Sequence, residues 1–349
     1  MNQHRALVLL SFMPVFPINQ FQVESDFALP CDARAASISG EPLRVRRVST
    51  LLAADMPLPT ATARPGEASV RFHRVADGVL LNVEGRIWLK VDEGGREIQV
   101  QARDEHLQEA ALYIVGAAMA LCTALRGDIP LHASCVELDG HRVGFMASCG
   151  TGKSTTLWEF LEAGALFAND DLIPVRLGER GATAISCISL FPKVGRDLME
   201  RDTRDWNGCD EILPGRNKFW FPIAPHRRAA ASGPLAALFA LQPFTLQEEQ
   251  QLQYGIKTVQ IEAQRGVQAL SLLAGNSMTG NILPSIVGAP RLMQNFARLA
   301  GAVPVYTVRY ARRFETLPFV VEAVRNTVGL TTEDTEGTEN NRLLSSVCR

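Results

Sequence analysis

One run of residues, Ala147-Ser148-Cys149-Gly150-Thr151-Gly152-Lys153-Ser154, constrains the fold of this chain more than any other feature. It follows an apolar segment typical of a buried strand, 143–146, and precedes a helical pattern, which is the strand–loop–helix order of a phosphate-binding loop. Glycines at 150 and 152 allow backbone N–H groups to turn inward around an anion, and the helix start adds its positive dipole end. The run, hereafter the P-loop, therefore predicts an α/β domain that binds a nucleotide.

Each position of the P-loop has an expected contact. Lys153 is expected to reach the β and γ phosphates of ATP, and the Ser154 hydroxyl to complete the shell of Mg²⁺. The residues expected to bind the nucleotide are Ser148, Cys149, Gly150, Thr151, Gly152, Lys153, Ser154 and Thr155. Ala147 stands where such loops usually have their first glycine. The alternative interpretation is a glycine-rich turn that caps an ordinary helix.

Two acidic residues, Asp170 and Asp171, follow a short apolar segment at 165–168. Taken alone, the pair fits an Asx turn that closes a strand. In a parallel sheet, however, a strand after the P-loop helix ends at the same edge as the P-loop, so both carboxylates would face the γ-phosphate. One could accept a proton from an attacking hydroxyl while the other helps to hold Mg²⁺. His132, on the preceding strand, is either a packed core residue or a further member of this site.

The remaining pattern predicts two domains and a tail. In residues 1–104, apolar and polar residues alternate in short segments separated by turn residues, which predicts a β-rich domain. A long loop is expected at 53–68, which is rich in Ala, Pro, Thr and Gly. Residues 105–330 form the P-loop domain, which opens with a helix at 107–122 that is apolar nearly all round and is therefore expected to be buried. Residues 331–349 are polar and are expected to be disordered.

Within the P-loop domain, Asp139-Gly140 is a hairpin signal between two candidate strands, 131–138 and 142–146. Later segments predict strands at 235–241, 258–261 and 303–310 and helices at 292–300 and 317–329.

Composition and charge indicate which partners the protein has and in which cellular compartment it lies. With 35 basic and 37 acidic residues the net charge is −2, which argues against a surface that coats nucleic acid. The apolar stretch near the start, 6–16, is far short of the ~20 residues of a membrane span, so no membrane partner is expected. The seven cysteines contain no C-x-x-C pair, which favours reduced thiols and a cytoplasmic location.

These residues resemble the HPr kinase/phosphorylase superfamily, and within it the standalone kinases that modify lasso-peptide precursors. Three landmarks carry the resemblance: the strand segment Leu131-His132-Ala133, the P-loop, and an Asp-Asp pair 17 and 18 residues beyond Lys153. The resemblance spans roughly residues 20–325 and is most specific over 126–172. It implies an α/β fold in which a P-loop catalytic domain of HPr-kinase type follows a smaller β-rich domain.

The resemblance also implies a reaction, the transfer of the γ-phosphate of ATP to a serine hydroxyl of a peptide or small protein. Asp170 would be the general base, with His132 and Lys153 beside the transferred phosphate, and Ser154 and Asp171 would hold Mg²⁺. The substrate implied most specifically is the C-terminal serine of a lasso-peptide precursor. A homo-oligomer is compatible with the resemblance.

One departure bears on the substrate. The Arg-Gly-Leu-Gly signature that follows the aspartates in HPr kinases is missing, since 189–196 reads Ser-Leu-Phe-Pro-Lys-Val-Gly-Arg. An HPr-type serine kinase therefore stands as an alternative, beside a P-loop regulatory protein without transfer activity and a small-molecule kinase or ATPase. Two or three of the basic residues between 193 and 228 are expected to contact ligand; the candidates are Lys193, Arg196, Arg201, Arg204, Arg216, Lys218, Arg227 and Arg228.

Overall fold

The computed structural model describes residues 15–31, 40–51, 70–148, 150–179, 181–187, 190–201, 206, 209–252, 255, 257–280 and 282–333. Over these ranges the chain is a mixed α/β protein with sheets of seven, nine and two strands, which confirms the predicted α/β class. The predicted loop at 53–68, Cys149, Arg204 and most of the predicted tail lie outside the described residues.

The seven-stranded sheet comes first in the chain, as the alternating pattern predicts. Its strands are β1 (Val15–Ile18), β2 (Phe21–Ser25), β3 (Glu41–Arg47), β4 (Val70–Val75), β5 (Gly78–Val83), β6 (Ile87–Asp92) and β7 (Glu97–Gln101). They lie in the order β1-β2-β3-β7-β6-β5-β4. Pairs β2–β3 and β3–β7 are parallel and the others are antiparallel.

A long helical segment, Asp104–Leu125, packs against this sheet. It contains α1 (Leu107–Tyr113), a π-helical turn at Ile114–Ala118 and α2 (Met119–Leu125). Among the described residues it alone has the length and composition to cross a membrane, but 67% of its apolar window is buried inside the protein, as in a core helix. At Gly95 a Cβ would lie 3.0 Å from the Cα of Cys122, so a glycine in this turn lets sheet and helix approach closely.

The nine-stranded sheet carries the P-loop. Its strands are β8 (Ile129–Leu131), β9 (Ala133–Leu138), β10 (His141–Met146), β11 (Leu166–Asn169), β12 (Ile173–Leu177), β13 (Ala182–Ile185), β16 (Ser232–Leu241), β17 (Val259–Gln264) and β18 (Val305–Tyr310). The order is β11-β9-β10-β16-β13-β12-β8, with β18 also paired to β16 and β17 paired to β18. β14 (Lys193–Gly195) and β15 (Lys218–Trp220) form the two-stranded sheet.

Two predictions about this sheet need correction. The expected single strand over 131–138 is interrupted at His132, which separates β8 from β9. The expected parallel sheet is mixed, because β9 lies between β10 and β11 and is antiparallel to both. β10 and β11 consequently still run in the same direction, and both end at the edge where the P-loop begins. The predicted hairpin turn is confirmed, with Asp139 at φ 49° and Gly140 at φ 84°.

Six α-helices follow the P-loop in the described ranges. They are α3 (Lys153–Glu162), α4 (Arg196–Arg201), α5 (Leu246–Leu252), α6 (Gly266–Gly275), α7 (Ala289–Ala302) and α8 (Leu317–Glu333). α7 and α8 contain the two late helices predicted from the sequence, each extended by several residues. α3 and α8 pack over the sheet through side chains such as Phe145, Phe160 and Val324.

The buried side chains form two described clusters. The larger one joins residues from both sides of position 104, for example Val100, Ile114 and Leu131, so the β-rich segment and the P-loop segment share buried surface. The second cluster lies under α3 and α8. The predicted domain limits, 1–104 and 105–330, stay a prediction. The buried cysteines at 122 and 135 are free thiols.

Candidate functional site

The P-loop connects β10 to α3, as its sequence context predicts. Gly150 and Gly152 have φ values of 77° and 97°, in the left-handed region that favours glycine. A Cβ at Gly150 would meet nothing within 4 Å, so conformation rather than space requires glycine there. The backbone N–H and the hydroxyl of Thr151 both donate to the carbonyl of Ser148, at 3.2 and 2.6 Å. These bonds close the loop ahead of the first turn of α3, which holds Ser154 and Thr155.

The turn after β11 brings the two aspartates to this loop. Asn169 is buried, and its side-chain amide donates to the carbonyls of Leu172 and Ile185 at 3.1 and 3.0 Å. Asp171 has φ 68°, in the left-handed region that aspartate visits as a single residue. Asn169 is thus a buried residue that stabilises the turn. No sequence pattern indicated this role, because Asn169 precedes two aspartates and could equally have been exposed to solvent.

The carboxylate of Asp170 is fixed by three donors. Its Oδ1 accepts from the Ser134 hydroxyl at 2.8 Å and from the Asp171 N–H at 3.1 Å, and its Oδ2 accepts from the Lys193 N–H at 2.9 Å. Ser134 is fully buried on β9, the strand between β10 and β11, and its hydroxyl orients the Asp170 carboxylate. A carboxylate has about four lone-pair sites, which leaves one for a further donor.

His132 and Lys153 form a second contact across the edge of the sheet. Lys153 is buried, and its Nζ lies 2.8 Å from Nε2 of His132 and 3.7 Å from Oδ1 of Asp171. Because an ammonium group only donates, Nε2 accepts, and Nδ1 donates to the Asp171 carbonyl at 3.0 Å. Burial and the charge of Lys153 lower the pKa of His132. The imidazole is therefore neutral and holds the lysine, rather than acting as a core residue remote from the site.

Lys193, at the start of β14, completes the cluster. Its backbone N–H binds Asp170, its ammonium group forms an ion pair with Asp171, and its Nζ lies 5.4 Å from the ring centroid of Trp220. Burial opposes the charge of Lys193, but Asp171 and Asp170 raise its pKa. For Asp171, burial is outweighed by the charges of Lys193 and Lys153, which hold its pKa below the usual range. Asp171 is thus ionised and shared between two lysines.

The sequence grouped Lys193 with seven other basic residues and did not distinguish it. Its setting between Phe191-Pro192 and Val194-Gly195 was the available signal, because a lysine flanked by apolar residues is more often buried with a partner. Most of the other candidates have structural contacts: Arg196 stacks on Phe219, Arg201 on Phe314, and Arg227 and Arg228 donate to the carbonyls of Leu161 and Leu190. Arg216 and Lys218 are exposed.

The donors near the P-loop fit a magnesium ion that arrives with a nucleotide. Across the described ranges no group of three or more His, Cys, Asp or Glu side chains could hold a metal ion alone. Mg²⁺ in nucleotide sites usually takes one or two protein oxygens and completes its shell with phosphates and water. The Ser154 hydroxyl and the Asp171 carboxylate are hard oxygen ligands of that kind, so the donor set suits Mg²⁺ bound to phosphate.

Comparison with known proteins finds a likeness among solved structures but none among sequences. No protein-family model matches the chain, and no curated protein sequence matches it. The chain is similar to the HPr(Ser) kinase/phosphatase from Coxiella burnetii, with a TM-score of 0.30 and 11% sequence identity, over 58% of this chain and 98% of that one. The resemblance to that superfamily rests on the motif residues over 126–172.

Proposed function

We propose that the chain is an ATP-dependent kinase that transfers the γ-phosphate to a serine hydroxyl of a peptide or small protein. One observation carries the proposal. The P-loop lysine, Lys153, lies in a single bonded cluster with His132, Asp171 and Lys193, and the same turn holds Asp170 in a fixed orientation. A phosphate-binding loop beside an oriented carboxylate is the minimum equipment for phosphoryl transfer to a hydroxyl.

In this proposal the P-loop backbone binds the phosphates and Lys153 exchanges its contact with neutral His132 for phosphate oxygens. The exchange leaves no uncompensated charge behind, because the released partner is an uncharged imidazole. Ser154 and Asp171 would hold Mg²⁺, which when bound supplies positive charge against the charge that develops on the transferred group. Lys193 keeps Asp171 in place through their ion pair.

Asp170 has the role of general base. The serine Oγ attacks the γ-phosphorus, its proton moves to the Asp170 carboxylate, and the bond from the γ-phosphorus to the bridging oxygen of ADP breaks. The three hydrogen bonds to Asp170 orient the carboxylate and leave one lone-pair site for the substrate hydroxyl. A protein that used ATP only as a switch would have no need of such a base.

The finer substrate proposal is the C-terminal serine of a lasso-peptide precursor in the cytoplasm. It is supported by the landmarks over 126–172 and by the missing Arg-Gly-Leu-Gly signature, which argues against HPr. An HPr-type serine kinase and an ATP-binding regulatory protein are the alternatives that the experiment must separate.

The experiment compares the parent with Asp170→Asn, using labelled ATP, Mg²⁺ and three substrates: a serine-ended peptide, the same peptide with an internal serine, and HPr. Mass spectrometry detects the added phosphate. We expect the variant to bind ATP at least as tightly as the parent, because one negative charge is removed. Transfer should fall at least ~10²-fold, because a positioned base contributes roughly 10²–10⁴-fold.

Asp139→Asn is the matched control, since Asp139 is an exposed residue of the β9–β10 turn whose left-handed backbone asparagine also adopts. It should transfer phosphate at the parental rate. Near-parental transfer by Asp170→Asn would reject the base assignment. A parent that binds ATP but modifies none of the three substrates would favour the regulatory protein.

A further inference from the structure

A pocket adjoins the P-loop. It has a volume of about 190 Å³ and is lined by Thr151, Gly152 and Thr155, by Asp197 of α4 and by Arg313. Tyr310, Arg312, Phe314 and Leu317 complete the lining. These four residues belong to the end of β18, the connection to α8 and the first residue of α8. Among the described residues that line it, none belongs to the cluster around Asp171. The two sites share only the P-loop.

The wall opposite the P-loop is aromatic and held in place. Tyr310 is 2% exposed, and its hydroxyl lies 3.8 Å from where a Cβ of Gly152 would be. The guanidinium carbon of Arg201 lies 4.4 Å from the ring centroid of Phe314, which fixes that ring from α4. Flat apolar side chains in a fixed position suit a nucleobase, because every base has a face that stacks on an aromatic ring.

Two adjacent arginines at the pocket have different partners. Arg313 pairs with Glu249 at 2.5 Å, so its charge is satisfied within the fold. Arg312 is exposed and donates to the Gly150 carbonyl of the P-loop, and it has no acidic partner in the part of the chain that is described. A cation without an acidic partner, in contact with a phosphate-binding loop, is available to an anionic ligand.

The direction in which a nucleotide must lie follows from the P-loop itself. Its backbone cradles the α and β phosphates while the lysine reaches the β and γ phosphates. Lys153 points to His132 and Asp171, so the γ end lies at the aspartates and the α end leaves on the opposite side. We infer that the pocket between Thr155 and Phe314 binds the base and ribose of the nucleotide, with Arg312 near the α-phosphate; this inference rests on the proposed function.

The test compares two ligands by isothermal titration calorimetry, MgATP and magnesium tripolyphosphate, which carries the phosphates without base or ribose. The Phe314→Ala variant should bind MgATP about tenfold more weakly, the scale of one lost base–aromatic stack. Its affinity for tripolyphosphate should stay within about twofold of the parent, since phosphate contacts are unchanged. Phe319→Ala, a half-buried phenylalanine of α8 outside the pocket, is the matched control and should leave both affinities unchanged.

Arg312→Gln provides a second variant at an exposed position, where the fold does not depend on the side chain. Because Arg312 is placed at the α-phosphate, which both ligands offer, this variant should weaken MgATP and tripolyphosphate alike, by several-fold. If Phe314→Ala binds MgATP like the parent, or loses both ligands equally, the nucleoside pocket is wrong while the P-loop assignment stands. If the parent binds neither ligand, the proposed function fails as well, and the pocket with it.

Discussion

A buried cation lies at each end of the β9–β10 hairpin, and the two cations have different partners. At one end Arg142 is fully buried, forms an ion pair with Glu137 at 3.0 Å and donates to the Ala230 carbonyl at 2.7 Å. At the other end Lys153 is 7% exposed, with a neutral imidazole at 2.8 Å and a carboxylate oxygen only at 3.7 Å.

The difference is the one expected between a structural cation and a cation that binds a ligand, the role proposed for Lys153. Burying a charge is costly unless a partner compensates it at close range. Arg142 has such a partner of its own, and a Cβ at Gly233 would lie 2.9 Å from its Nε, so the neighbouring strand is shaped around it. The carboxylate nearest to Lys153 is shared with Lys193. Lys153 therefore shares this carboxylate with another cation, and a phosphate group would give it an anionic partner at closer range.

The largest expected effect tests the ligand-binding cation. Lys153→Met should lower phosphate transfer by roughly 10²–10³-fold, the loss that follows removal of one preorganised donor to a developing charge. Thermal stabilisation by MgATP should disappear, because the phosphates lose their main point charge. Differential scanning fluorimetry with and without MgATP measures the second effect. If MgATP stabilises this variant as much as it stabilises the parent, Lys153 is not a ligand-binding cation.

The next effect tests the structural cation. Arg142→Met should destabilise the fold by about 3 kcal/mol, since it leaves Glu137 and the Ala230 carbonyl without their buried partner. Urea unfolding of parent and variant measures the change. MgATP should still raise the stability of Arg142→Met by the parental increment. If Arg142→Met is as stable as the parent, Arg142 is not a structural cation. If the variant is no longer stabilised by MgATP, Arg142 also affects ligand binding.

Some parts of the fold and of the candidate site could be predicted from local sequence patterns. The P-loop, the Asp139-Gly140 turn and the late helices depend on neighbouring residues, so local patterns found them. The edge shared by the P-loop and Asp170 was also predicted, although for a parallel sheet, and β9 between the two strands makes the sheet mixed. The direction of β11 survives because two antiparallel pairings restore it.

What could not be predicted depends on contacts between distant residues. Lys193 meets Asp171 only because β12 and β13 leave the turn and the chain then returns as β14. Ser134 meets Asp170 through the pairing of β9 with β11. The apolar flanks of Lys193 indicate burial but not which residue it contacts, and no pattern around Ser134 indicates a partner, so single-sequence reasoning could not pair either residue with the aspartates.

The smallest expected effect concerns Lys193, which lies between the two kinds of cation. It has a close carboxylate partner as Arg142 does, yet that partner belongs to the site. Because Lys193 contacts Asp171 through its side chain and Asp170 through its backbone N–H, Lys193→Met should release Asp171 and keep the bond to Asp170. We expect kcat to fall about tenfold, the usual scale for a residue that orients a ligand group. Affinity for MgATP should stay within about twofold, and Lys193→Arg should recover most of the rate. Calorimetry and steady-state kinetics separate the two quantities. If Lys193→Met loses MgATP affinity as Lys153→Met does, then Lys193 is itself a phosphate ligand, and the site has two ligand-binding lysines instead of one.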